Sequence, residues 1–162
     1  METRVGLRPI RLPEDEDFLR MLYFDRRDDL QELPIDAKMK EDLILMQFRA
    51  QTMQYAADFP AAEHSVVTFD DDAVGRYIVE SRRDEIYAVD LSILSNYRGR
   101  GIGAVVLGRT IREAAKSGRR YLLHVDLGNR AKRLYERLGF VTVEETQTNF
   151  RMEWVRSNTE AI

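Results

Sequence analysis

Six consecutive residues, Arg98-Gly99-Arg100-Gly101-Ile102-Gly103, carry the densest chemical signal in the chain. Glycines at alternate positions leave peptide N–H groups uncovered by Cβ atoms and permit positive φ. Such N–H groups, curled into the first turn of a helix, form a positive cup that suits a phosphate. Arg98 and Arg100 place charge on either side of it. A plain strand-to-helix turn with two solvated arginines would use the same letters, but three glycines and two arginines in six residues favour phosphate binding.

The flanking residues must position this loop. Val89, Leu91, Ile93 and Leu94 read as the end of a strand, and Ser95-Asn96-Tyr97 as a tight turn. After the glycines, Ile102, Val105, Val106, Ile111, Ala114 and Ala115 lie on one side of a helix that stops at Gly118. Upstream, His64 to Phe69, Val74 to Glu80 and Ile86 to Leu94 form an antiparallel meander, with Asp70-Asp71-Asp72 and Arg82 to Glu85 as its turns. Downstream, Tyr121 to Val125 is a strand parallel to the one before the loop, because a helix crosses between them. Arg130 to Leu138 is a short helix with Ala131, Leu134, Tyr135 and Leu138 on one face, and Phe140 to Val143 and Phe150 to Val155 close as a strand pair.

The N-terminal third is predicted helical after a first strand, Gly6 to Ile10. Pro13 suits a first helical position, Glu14 to Asp17 suit the helix dipole, and Phe18, Leu19, Leu22 and Tyr23 form an apolar face. A second helix is expected from Lys38 to Tyr55. Its Met39, Leu43, Met46, Ala50 and Met53 recur at spacings of 4, 3, 4 and 3, a stripe expected to pack into the core.

Composition bounds the function. The chain has 162 residues, which suits one domain spanning 1–162, with a net charge of −3 and both signs interspersed. It offers no basic field for nucleic acid. No apolar segment approaches membrane-spanning length, and the first residues lack a signal-peptide core, so a cytoplasmic location is expected. Without cysteine, thiol nucleophiles and thiolate metal sites are excluded. The two histidines, His64 and His124, lie far apart, and the triple aspartate lacks the spaced oxygen ligands of a calcium loop, so no metal is expected.

Gly99-x-Gly101-x-x-Ala104 formally satisfies a dinucleotide fingerprint. That fold requires repeated β-α units, whereas this loop follows an antiparallel meander. Asp126 also lies further along than the usual ribose-binding acid. The same letters read as Arg-x-x-Gly-x-Gly at Arg98, Gly101 and Gly103. A second segment, Asn129-Arg-Ala-Lys-Arg-Leu-Tyr135-Glu-Arg-Leu-Gly-Phe140, follows at the distance of one helix and one strand, and Met152-Glu153-Trp154 closes the pattern. Together these motifs resemble the GNAT acetyltransferase superfamily.

The resemblance implies an α/β fold with a strongly twisted mixed sheet, helices on both faces and central parallel strands that splay apart. It implies acetyl-coenzyme A as the co-substrate, with the pyrophosphate on Arg98, Gly99, Arg100, Gly101, Ile102 and Gly103 and with Asn129 and Tyr135 beside the coenzyme. The pantetheine arm would pair with main-chain groups near Leu91 to Ile93, and an N–H near Ile93 would polarise the acetyl carbonyl. Tyr135 matches the tyrosine that protonates the departing thiolate, a role open to a phenol that stays protonated at neutral pH. Many members carry a glutamate at the place of Tyr87. Asp90, Glu85 and His124 are the substitutes as general base, with Asp90 and His124 ranked equal and solvent as a further acceptor.

The implied reaction is direct attack by an amine, of a small molecule or a peptide, in a ternary complex. The acceptor would lie against the first helices and their connection, Asp25 to Lys38, where Asp28, Asp29, Glu32 and Asp36 could attract a cationic amine, with a solvated loop as the default explanation. Dimers are frequent in the family, so a homodimer is a candidate state. A coenzyme A-binding regulatory module without turnover and a dinucleotide-binding oxidoreductase are the rival readings.

Overall fold

Residues rich in β-branched and aromatic side chains dominate the chain after Pro60, and their alternation builds strands there as expected. The computed structural model describes residues 1–156. In chain order its elements are β1 (Val5–Pro9), α1 (Glu16–Asp25), α2 (Asp28–Gln31), α3 (Ala37–Asp58), β2 (Glu63–Phe69), β3 (Asp72–Ser81) and β4 (Glu85–Ile93). They continue with α4 (Ile102–Ser117), β5 (Arg120–Asp126), α5 (Ala131–Leu138), β6 (Phe140–Glu145) and β7 (Asn149–Trp154). One sheet joins the strands in the order β1-β2-β3-β4-β5-β7-β6. No helix among the described residues is long and apolar enough to cross a membrane.

Two features of the sheet position the site. First, β4 and β5 run parallel and pair only from Glu85↔Arg120 to Ala88↔Leu123; beyond that point they part. Second, the β3–β4 ladder slips between Ile78↔Asp90 and Val79↔Ala88, so Val89 is an extra residue on β4. Such a bulge bends its strand and re-aims the side chains that follow it. Ile86, Ala88, Leu91 and Ile93 therefore join the core beneath α4 and α5. Asp90 and Ser92 turn to the other face, towards Arg26 and Arg76.

Ile102, Val106, Leu107 and Ala114 of α4 and Tyr135 of α5 fill one face of the sheet with Tyr77, Tyr121, Phe140 and Met152. A second, smaller core of Leu19, Tyr23, Leu30, Ile44 and Phe48 binds α1, α2 and α3 together. Helices thus cover both faces, as expected.

The N-terminal region departs from expectation in three places. Helix α1 begins at Glu16 rather than at Pro13. Asp15 is buried just before it, accepting from Arg8 at 2.8 Å and from the Arg11 N–H at 2.7 Å, so residues 12–15 turn instead of coiling. The connection before α3 holds a further helical turn, α2, whose Leu30 is buried. The third departure is the methionine stripe of α3. Met39, Met46 and Met53 are 54, 60 and 73 % exposed, and the helix buries Ile44 and Phe48 instead. Apolar residues occur on both sides of this helix, so periodicity alone did not choose the face; the β-branched and aromatic side chains took the interior.

Candidate active site

The glycine-rich turn lies where the strand reading placed it, between β4 and the first turn of α4. Gly99 and Gly101 have φ of +76° and +83°, and among the described residues nothing beyond their chain neighbours lies within 4 Å of where their Cβ atoms would stand. Gly101 is the N-cap of α4 and supplies no side-chain partner for the N–H groups of the first helical turn. The Val105 N–H is the first to bond back, to the Gly101 carbonyl at 3.1 Å. What remains is an open cradle of donors at the positive end of a 16-residue helix. A pyrophosphate fits this donor set, which no side chain among the described residues fills. Gly103 differs: a Cβ there would meet Leu134 and Leu91 at 3.4 and 3.7 Å, so this glycine lets α4 approach α5 and β4.

The cradle is fastened from two sides. Arg98 Nε donates to the Ile93 carbonyl at 3.0 Å, and the Arg100 guanidinium stacks over the Tyr97 ring at 5.0 Å. Asp25, at the end of α1, accepts from the Ser95 N–H at 2.9 Å and from its hydroxyl at 2.7 Å. Sequence reading missed this tie, which fixes α1 to the loop.

A cleft of about 190 Å³ opens where β4 and β5 part, lined by Ala88 to Leu91, Leu123 to Asp126, Arg26, Tyr55, Asn129 and Tyr135. The Leu94 N–H points to β3, bonding to the Val74 carbonyl. By the alternation of a strand, the main-chain groups of Ile93 and Leu91 point the opposite way, into the gap. Leu91 and Ile93 therefore present strand-edge main chain, unpaired by β5, to the gap.

Tyr135 is buried against Phe140, at 5.9 Å between ring centroids, and reaches the cleft. Its hydroxyl has no hydrogen-bond partner in the chain among the described residues. Burial, reinforced by Asp90, pushes its pKa up to about 12, so the phenol stays protonated. Burial likewise pushes Tyr55, on the opposite wall, up to about 12. Asn129 accepts from the Ala131 N–H at 2.9 Å and so starts α5 at the cleft edge.

The base candidates separate. Glu85 sits at the far end of β4, bound to Arg82 at 2.7 Å, and does not line the cleft. Asp90 lines it but is fully engaged. Arg76 donates twice to Oδ2, at 2.9 and 3.1 Å, Ser92 Oγ donates to the same oxygen at 2.9 Å, and Arg26 reaches Oδ1 at 3.0 Å. Burial alone would raise the Asp90 pKa, but Arg76 and Arg26 outweigh it and hold the carboxyl below its ordinary value. A carboxylate so held is a poor proton acceptor. His124 lies on β5 at the cleft, with Nδ1 hydrogen-bonded to the Tyr87 hydroxyl, and burial and then Arg151 lower its pKa. It is neutral at neutral pH and available. The expected acidic patch is also partly committed, because Asp29 pairs with Arg27 and Asp36 caps α3 through the Met39 N–H.

Asp90 has a structural role that can be measured. Asp90→Asn leaves two guanidinium groups without their shared anion and is expected to cost about 3 kcal/mol. That lowers the melting temperature by roughly 6–12 °C at this chain length. Because the folded-state pKa is depressed, the stabilisation is present above the unfolded carboxylate value and is lost as pH falls through the folded one. Urea unfolding of both proteins should therefore show a gap that is full at pH 7 and closes in strong acid.

Comparison with known proteins places this architecture. Residues 60–142, from the meander into the start of β6, match the family described as acetyltransferase (GNAT) domain. The chain belongs to the GNAT acetyltransferases, and its activity is acetyl transfer from acetyl-coenzyme A to an amine. Among solved structures, the PaiA N-acetyltransferase of Thermoplasma acidophilum, in complex with coenzyme A, aligns with a TM-score of 0.69 at 15 % identity, covering 94 % of this chain and 99 % of that one. An acetyltransferase of Thermus thermophilus aligns with a TM-score of 0.67 at 19 % identity over 92 % and 95 % of the two chains. An Arabidopsis thaliana protein in complex with the bisubstrate analogue CoA-Ac-MVNAL gives 0.64 at 19 % over 94 % and 99 %. At these identities the likeness is one of fold. No curated protein matches the sequence. The dinucleotide reading of the glycine loop falls with the meander that precedes it.

Proposed function

We propose that acetyl-coenzyme A lies along the gap between β4 and β5, and that a small-molecule or peptide amine attacks its thioester directly in a ternary complex. The observation that carries this reading is the coincidence of three features. Strand pairing ends at Ala88↔Leu123, the cleft opens there, and the unfilled cradle at Gly99 to Gly103 stands at the end of the same strand. The cradle N–H groups, with Arg98 and Arg100, hold the pyrophosphate. Main-chain groups of Leu91 and Ile93 hold the pantetheine arm, as an added strand would be held. A cytoplasmic setting belongs to the same proposal.

His124 accepts the amine proton at its free ring nitrogen. For that, Nδ1 must carry the hydrogen and donate it to the Tyr87 oxygen, which leaves Nε2 unprotonated. Tyr135 donates a hydrogen bond to the sulfur as negative charge gathers there. Full transfer from a phenol near 12 to a thiolate of ordinary pKa about 8.5 is uphill. The hydroxyl therefore stabilises the departing sulfur chiefly as a hydrogen-bond donor.

The test is release of free thiol from acetyl-coenzyme A in the presence of an amine panel, followed across pH. The kcat is expected to fall as pH drops through the His124 pKa, which lies below the ordinary 6.5, because the protonated ring cannot accept. Tyr135 imposes no loss at moderately alkaline pH. In His124→Gln the acid limb should disappear with kcat reduced about 100-fold. An unchanged limb would remove His124 from the mechanism.

A further inference from the structure

The cleft carries a positive charge that the transfer chemistry described above does not use. Arg76 and Asp90 neutralise one another through two hydrogen bonds to Oδ2, and Gln51 takes a further Arg76 donor at 3.2 Å. Arg26 is then in excess. It follows α1 directly, and the Asp25–Ser95 tie fixes its backbone over the cleft. Only its Nη1 is engaged, donating to Asp90 Oδ1 at 3.0 Å and to Ser92 Oγ at 2.7 Å. The Nε and Nη2 donors have no partner in the chain among the described residues. Those two form one edge of the planar guanidinium, the fork that meets a carboxylate through two parallel hydrogen bonds. The Tyr55 hydroxyl, kept protonated by burial, is a neutral donor lining the same cleft.

Resting on the acetyltransferase reading of this cleft, we propose that Arg26 binds a carboxylate of the acceptor, so that the substrate is an amino acid-like amine carrying both groups in one molecule. Asp90 and Ser92 hold one side of the guanidinium and aim the other. Among the described residues the other carboxylate lining the cleft is Asp126, exposed at the end of β5, and no hydrogen bond or ion pair ties it to Arg26. A simple cationic amine would meet Arg26 as a like charge, whereas an amino acid brings the complementary anion with it. The acidic residues of the Asp25 to Lys38 connection are not needed for this recognition.

The experiment measures kcat/KM with the full chain, acetyl-coenzyme A and matched acceptors. These are α- and ω-amino acids, their carboxamides, and the corresponding amines lacking the carboxyl group. The acids are expected to exceed their amides at least about tenfold, as loss of a charge-assisted hydrogen bond implies. Arg26→Gln should bring the ratio close to one, while Arg26→Lys keeps part of it. The lysine variant also guards against a glutamine variant that fails to fold. Equal rates for acids and amides, or a preference that survives Arg26→Gln, would overturn the proposal. So would selective thermal stabilisation by acetyl-coenzyme A with no carboxylate-bearing amine accepted. Failure of the underlying reading looks different: no stabilisation by acetyl-coenzyme A and no thiol released with any amine, which removes both.

Discussion

Gly101→Val abolishes acetyl-coenzyme A binding, with Kd weakened at least about 100-fold, while the chain still folds. Two effects combine. Gly101 has a φ of +83°, and a non-glycine residue held there costs about 1–2 kcal/mol of backbone strain. The space around the missing Cβ, clear of described atoms within 4 Å beyond its chain neighbours, is where the phosphate oxygens would stand on the proposed reading. The side chain therefore meets no obstacle in the free protein and blocks the ligand instead. Gly101→Ala separates the terms: it carries most of the strain and a smaller obstruction, so affinity should fall less than in the valine variant. Equilibrium binding with both variants checks this, and normal affinity in Gly101→Val would refute the assignment of the loop.

Tyr135→Phe should reduce kcat about 100-fold and leave coenzyme affinity within a factor of about 2. The hydroxyl makes no hydrogen bond to the chain among the described residues, while the ring packs on Phe140. Removing the oxygen therefore leaves packing intact, and the melting temperature should move by little. The loss is expected in kcat and kcat/KM alike, as for an interaction made only in the transition state. Rates equal to the parent protein across pH would show that another group serves the departing sulfur.

Much of this site was legible because its signals are local. The glycines, their flanking arginines and the Asn129 to Phe140 segment each lie within a dozen residues, and local backbone needs dictate their spacing. The meander was legible from alternation, and Gly118 and Gly139 end their helices in the left-handed conformation that glycine favours. The charged cluster was not legible in the same way. Arg26 and Asp90 are 64 residues apart, and they meet only because Val89 is an extra residue that turns Asp90 to the α1 side. One signal was present: Arg76 interrupts the apolar run of β3 and, once the hairpin is paired, stands across from Ser92 and beside Asp90. The α3 stripe failed for the opposite reason. Its period was correct for a helix, but Ile44 and Phe48 offered a competing face, and tertiary packing chose that one.

The β4–β5 gap and the glycine cradle define the central claim, that this fold holds acetyl-coenzyme A, and thermal unfolding with that ligand tests it most directly. With NAD and ATP as controls, acetyl-coenzyme A at a hundredfold excess over Kd should add about 2.7 kcal/mol of stability, a rise of roughly 5–10 °C. The predicted result is a rise selective for acetyl-coenzyme A that Gly101→Val removes. A rise with NAD alone, or none with acetyl-coenzyme A, would contradict the account.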